Sequence, residues 1–436
     1  MADTDMTDTA LADPTERGTL GYEFELFPTA ILQWTVDDIR AQAQRAGFSS
    51  KITGQESTDA LQVMYPGCLV IPAGFPFNKH VHICQQLVEY LRQQGLHVND
   101  TDQEMIPRVP ENPALRQQQT PFAANASNER YHRWSVTVDE TVNMKGTFDP
   151  QQHQPRDTYL ESEIKGCSGI EVVSPALTDT PESYQQVARV LNLCKNLYFL
   201  HINETCAMHV HVAFGPHKIA MDPLRKIACL LFALDPLLVT LHPGLRTAGN
   251  PNCPSIRQYS NVARGWRALD AVKDLNKIRM GEEDEYDPVY YQEGHRAGGD
   301  VAYVALEEAL AELKACKKPE EIAWLLECES RANYSFRGFF NKLNNGTSNN
   351  PTIEFREHAM TSDAARVIAW GRFCVALVRY AALDMSDEDL EEIVMLCSDA
   401  EEEPEPGPGR SYIWELMDFM ELKDNAYELR VPRPEA

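Results

Sequence analysis

Residues Gly21-Tyr22-Glu23-Phe24-Glu25-Leu26-Phe27 alternate sharply between polar and apolar side chains. Period-two alternation is the signature of a strand with one face on a core. Glu23 and Glu25 therefore share one face, and Phe24 between them points the other way. Charged side chains are rarely buried unless they are paired or bound to a metal ion. A Glu-x-Glu strand thus announces either a solvated sheet face or a polar cavity.

The same pattern recurs downstream. Cys206-Ala207-Met208-His209-Val210-His211-Val212 places two histidines on one strand face with Val210 opposed. Thr352-Ile353-Glu354-Phe355-Arg356 does so for a glutamate and an arginine, with Phe355 opposed. Glu171 sits in Gly169-Ile170-Glu171-Val172-Val173-Ser174-Pro175, flanked by β-branched residues. One polar pair on a strand is ordinary in a half-exposed antiparallel sheet. Three pairs carrying Glu, His and Arg point to one polar cavity on one sheet.

The remaining pattern supplies helices. Apolar periodicity predicts helices over 35–46, 80–94, 181–200, 222–241, 302–316, 319–328, 362–383 and 412–422, with Ser362 as a cap. Further strands are expected over 68–71, from 96, and over 134–139, 159–165, 170–173 and 334–341. Residues 100–130 read as a polar insertion, and 246–300 as mostly irregular. The elements interleave without a regular β-α-β rhythm. Neither a dinucleotide glycine signature nor a GxxxxGK[ST] loop is present. The fold class expected is α+β on a curved, largely antiparallel sheet flanked by helices. Residues 1–18 are expected as a disordered tail, 19–395 as one catalytic domain, and 396–436 as an acidic Pro/Gly linker with a C-terminal helix.

The chain has 436 residues, 43% of them hydrophobic, and a net charge of -25. Such a field repels phosphate backbones and anionic membranes, which argues against both as partners. It does not exclude ATP, because magnesium bridges acidic side chains to phosphates. No transmembrane run or signal peptide is legible. Eleven cysteines without CxxC pairs read as reduced thiols, hence a cytoplasmic expectation. In that compartment the sequons at Asn125, Asn203, Asn333 and Asn345 carry no weight.

Carboxylates suit hard cations, so Glu23, Glu25 and Glu171 are candidate magnesium or manganese ligands. His209 and His211 fit zinc, phosphate donation or a core network. Arg356 fits either an ion pair with Glu354 or a forked grip on phosphate.

Read in order, these segments resemble the amidoligase family of fungi and bacteria. They also resemble the wider glutamine synthetase and glutamate–cysteine ligase superfamily, which pairs an E-x-E, a Met-His-x-His and an E-x-R strand. The resemblance spans about residues 21–383. It implies that ATP phosphorylates a substrate carboxylate and an amine displaces the phosphate. It implies that Glu23, Glu25, Glu171 and Glu354 hold divalent cations, that His209 touches a metal or the ATP phosphates, and that Arg356 stabilises the phosphoryl group. His211 would orient its neighbour or the substrate. Asp139, Arg257, Arg264 and Arg337 are softer candidates near the substrate. Two departures stand out: Ala207 replaces a usual Gly before the Met-His-x-His segment, and Ala359-Met360 replaces a Gly before Thr361. Two rival functions fit the same residues, a zinc hydrolase using His209 and His211 and a non-catalytic scaffold. The small-molecule or peptide substrates and the oligomeric state are not encoded in any readable pattern.

Overall fold

The computed structural model describes residues 18–28, 30–32, 69–71, 79–99, 132–139, 142, 169–197, 200–202, 205–215, 219–242, 253–280, 304–328, 332–340, 351–403 and 411–429. In chain order the strands are β1 (Thr19–Pro28), β2 (Ala30–Leu32), β3 (Leu69–Ile71), β4 (Ser135–Val138), β5 (Ile170–Val173), β6 (Leu177–Thr178), β7 (Leu200–His201), β8 (Ala207–Ala213), β9 (Tyr334–Ser335) and β10 (Ile353–Ala359). The helices are α1 (Lys79–Gln93), α2 (Pro181–Leu197), α3 (Met221–Leu238), α4 (Ala268–Met280), α5 (Leu306–Ala315), α6 (Pro319–Leu325), α7 (Ala364–Arg379), α8 (Asp387–Glu402), α9 (Tyr412–Phe419) and α10 (Lys423–Glu428).

The fold is α+β. Eight strands form one sheet in the order β4-β5-β1-β8-β10-β9, with β6 and β7 also pairing with β1. Every pairing among these strands is antiparallel. β2 and β3 pair in parallel as a separate two-stranded sheet. β1 is central because its alternation leaves one face fully apolar: Tyr22, Phe24 and Leu26 are buried. β8 does the same with Met208, Val210 and Val212, and β10 with Ile353 and Phe355. Each such side chain contributes about 1.5–3 kcal/mol on burial, which offsets the cost of the polar face behind it.

α7 packs on β1 and β8 across this apolar face. At Gly371 it lies against β1, where a Cβ atom would sit 1.7 Å from the Tyr22 hydroxyl. The glycine is thus required by space and not by backbone angle. α3 is buried along most of its length and packs against α5, α8 and the π-helical turn Tyr380–Asp384.

Several expectations need correction. The α7 cap is Asp363, whose carboxylate accepts from the Ala365 amide, and not Ser362. Tyr334–Asn341 is strand only over Tyr334–Ser335; a 3-10 turn, Arg337–Phe339, follows. Gly338 there packs against the backbone of Pro351 and Thr352, within 3.3 Å of an added Cβ, so a side chain would crowd the turn. Segment 246–300 is not mostly irregular where described. It holds the one-turn helix Ile256–Tyr259 and α4, whose buried Ala268, Ala271 and Leu275 recur at helical spacing. α8 was not anticipated, although Ser386 and Asp389 form a reciprocal capping box at its start. The helix expected over 35–46, the strand over 159–165, the insertion over 100–130 and residues 404–409 of the expected Pro/Gly linker lie outside the described residues.

The described cysteines are buried as thiols. Among the described residues no helix is long and apolar enough to cross a membrane.

Candidate metal and phosphate site

Strand register brings the polar pairs together. Glu25 stands opposite Glu171 on β5, Glu23 opposite His209 on β8, and Glu354 on β10 opposite His211. Glu23, Glu25, Glu171, His209, His211, Glu354 and Arg356 thereby share one patch at the middle of the sheet. These seven, each singled out in the sequence, lie on its polar face.

His209 is the centre of the patch and is 2% exposed. Its Nδ1 lies 3.2 Å from Glu23 Oε2 and 3.6 Å from Glu354 Oε1, and its Nε2 lies 3.4 Å from Glu25 Oε1. Arg356 Nη1 approaches the same Nδ1 at 3.3 Å and pairs with Glu354. A guanidinium donates and a carboxylate accepts, so Nδ1 is shared between Arg356 and the acids, while Nε2 faces Glu25. His211 Nε2 lies 3.1 Å from Glu23 Oε1, and its Nδ1 lies 2.9 Å from the Thr352 hydroxyl.

The electrostatics follow from this crowding. Burial alone would raise Glu23, but His211 and His209 hold its carboxyl well below the usual range. Burial would raise Glu354 too, and Arg356 with the two histidines lowers it instead. For His211, burial works downward, yet Glu23 overrides it and pushes the imidazole up to about 9. Glu171 moves the other way: burial, then the charges of Glu23, Asp139 and Glu25, push it up to about 9.

Two sets of donor atoms are close enough to share an ion, Glu23–His209–Glu354 and Glu25–Glu171–His209. His209 is common to both sets, and each of its ring nitrogens faces carboxylate oxygens. Each set is two carboxylates and the His209 imidazole. Oxygen-rich sets of this kind fit magnesium or manganese better than zinc. The two histidines do not converge as a zinc pair, because His211 belongs to neither set.

Sequence reasoning missed two contributors. Thr352 fixes His211, and the Thr137 hydroxyl reaches Glu171 Oε2 at 3.5 Å. Thr352 sits two residues before Glu354, on the same strand face, so the signal was present. Ala207 is plain extended strand, and its amide donates to Glu25 Oε2 at 2.7 Å. An added methyl is accommodated there without positive φ, so the missing glycine costs no backbone strain. Arg257 and Arg337 are engaged elsewhere, by Glu401 and Glu327.

Residues 88–278 match the family model described as "Putative amidoligase enzyme". The matched stretch is shorter than half the chain and contains Glu171, His209 and His211. Glu23 and Glu25 precede it, and Glu354 and Arg356 follow it. No curated protein and no solved structure matches the chain.

Proposed function

We propose, with the amidoligase match over residues 88–278 as premise, that this chain is an ATP- and magnesium-dependent carboxylate–amine ligase. The observation that carries the reading is the pair of donor sets meeting at His209, with a guanidinium beside them. Four carboxylates within one patch are costly without cations. Divalent cations, once bound, neutralise phosphate charge and tie the nucleotide to the sheet.

The chain's own residues then have separable tasks. Glu23, Glu354 and His209 would hold one cation, and Glu25 with Glu171 the other. Arg356 offers fixed positive charge to the phosphoryl group as it passes from ATP to the substrate carboxylate. Phosphoryl transfer depends mainly on such positioning and charge stabilisation. The acyl phosphate that results is attacked by an amine, and inorganic phosphate leaves. His211, held by Thr352 and Glu23, keeps Glu23 ionised and oriented.

The test is thermal melting with magnesium and a non-hydrolysable ATP analogue, each alone and together. A ligand at a hundredfold excess over its dissociation constant stabilises by about 2.7 kcal/mol. A shift that needs both components is expected. A shift with zinc alone would replace the ligase by a hydrolase, and no response to any of them would leave a scaffold.

A further inference from the structure

Asp235 is almost fully buried on α3 and belongs to neither donor set of the carboxylate patch. No cation pairs with it in the described structure. Instead three donors hold it: the Ser255 hydroxyl at 2.6 Å and the Arg257 amide at 2.9 Å on Oδ2, and Asn333 Nδ2 at 2.7 Å on Oδ1. Burial pushes its carboxyl up to about 6, so it is charged at neutral pH and these bonds are charge-assisted. A buried carboxylate is a costly way to gain stability. What three charge-assisted bonds secure is orientation.

The residue so oriented is Asn333, 3% exposed. Each of its polar atoms is committed. Oδ1 accepts from the Ile256 amide at 3.1 Å and the Tyr334 amide at 3.0 Å. Its own amide donates to the Pro254 carbonyl at 3.0 Å, and its carbonyl accepts from the Arg356 amide at 2.8 Å. This spends the sequon asparagine on an internal network. It also explains how Arg356 is placed. The register between β10 and β8 shifts between Phe355 and His358, so Arg356 sits within a bulge. A bulge loosens pairing on one side and re-aims side chains. On the other side, the Asn333 carbonyl holds the Arg356 backbone.

We infer that Asp235 is a positioning residue for Arg356, acting through Asn333 to fix the bulge that aims the guanidinium at the carboxylate patch. The inference rests on the reading of Arg356 as the group facing the phosphoryl. The chain of bonds is continuous from α3 to the site, and its members are far apart in sequence.

The experiment is a double-mutant cycle on the full chain. It measures the affinity for a non-hydrolysable ATP analogue with magnesium in wild type, Asp235→Asn, Arg356→Ala and the double variant. Asp235→Asn keeps the volume but turns one acceptor into a donor. It is expected to weaken binding about tenfold, as small misplacements of a charged group do. In the Arg356→Ala background the same change is expected to have no effect, because residues acting through one another are non-additive. An equal loss in both backgrounds, or none in the first, overturns the proposal. If Arg356→Ala itself leaves affinity unchanged, the reading of Arg356 falls, and the proposal with it. Should Asp235→Asn not fold, Ser255→Ala removes a single donor from Asp235 and runs the same cycle, with a loss of about threefold expected in the wild-type background only.

Discussion

Glu25 on β1 and Glu171 on β5 stand directly opposite each other in antiparallel register. Like charges in that position are destabilising. Burial and the neighbouring acids push Glu171 up to about 9, above its ordinary 4.5. An acid whose folded value is raised loses stability as pH climbs from the unfolded value toward the folded one. At neutral pH that loss is about 1–3 kcal/mol. Glu171→Gln is therefore expected to raise the melting temperature in the presence of a chelator and to shrink the gain from magnesium with ATP analogue. A lower melting temperature in chelator would show that the two acids do not oppose each other as described.

Glu25→Gln and Arg356→Ala are each expected to lower ATP turnover by about 10³-fold or more while circular dichroism stays native. The glutamine keeps an oxygen for the Ala207 amide, so the strand pairing survives. Phosphate release at the wild-type rate from either purified variant would remove the assigned site.

Gly371→Ala is expected to destabilise by about 1–3 kcal/mol or more, because the new methyl overlaps the Tyr22 hydroxyl. Adding Tyr22→Phe deletes that oxygen but leaves the ring carbon 2.5 Å away, so rescue is expected to be partial. Melting curves of the single and double variants decide this. A single variant that melts like wild type would mean that α7 does not lie this close to β1.

Glu327 accepts from Arg337 at 2.9 Å, yet burial outweighs the arginine and pushes its carboxyl up to about 7 from 4.5. The folded chain therefore holds a proton that the unfolded chain releases between those values. Its contribution is present at low pH and is lost as pH rises through about 7. The stability of wild type relative to Glu327→Gln is expected to fall by about 2–3 kcal/mol between pH 4 and pH 8. Denaturation midpoints at the two pH values measure it, and a constant difference would contradict the buried acid.

The strands that carry the site were legible from local pattern alone. Glu23, Glu25, His209, His211, Glu354 and Arg356 were each assigned to a polar strand face because side-chain direction has period two, which needs no knowledge of the rest of the chain. α4 was missed because its buried face is built largely from alanines, which leave a weak apolar signal. The end of β9 was missed because the crowding at Gly338 comes from Pro351 and Thr352, which are distant in sequence.

What the sequence determined by itself is thus which side chains share a face. Alternation is a property of the covalent chain in its extended form. What only the tertiary structure decided is which faces meet: Glu25 against Glu171, the His209 ring beside Glu354, and Asp235 with Asn333 behind the Arg356 backbone. Those relationships depend on strand register and on a bulge, and register is set by the whole core packing at once.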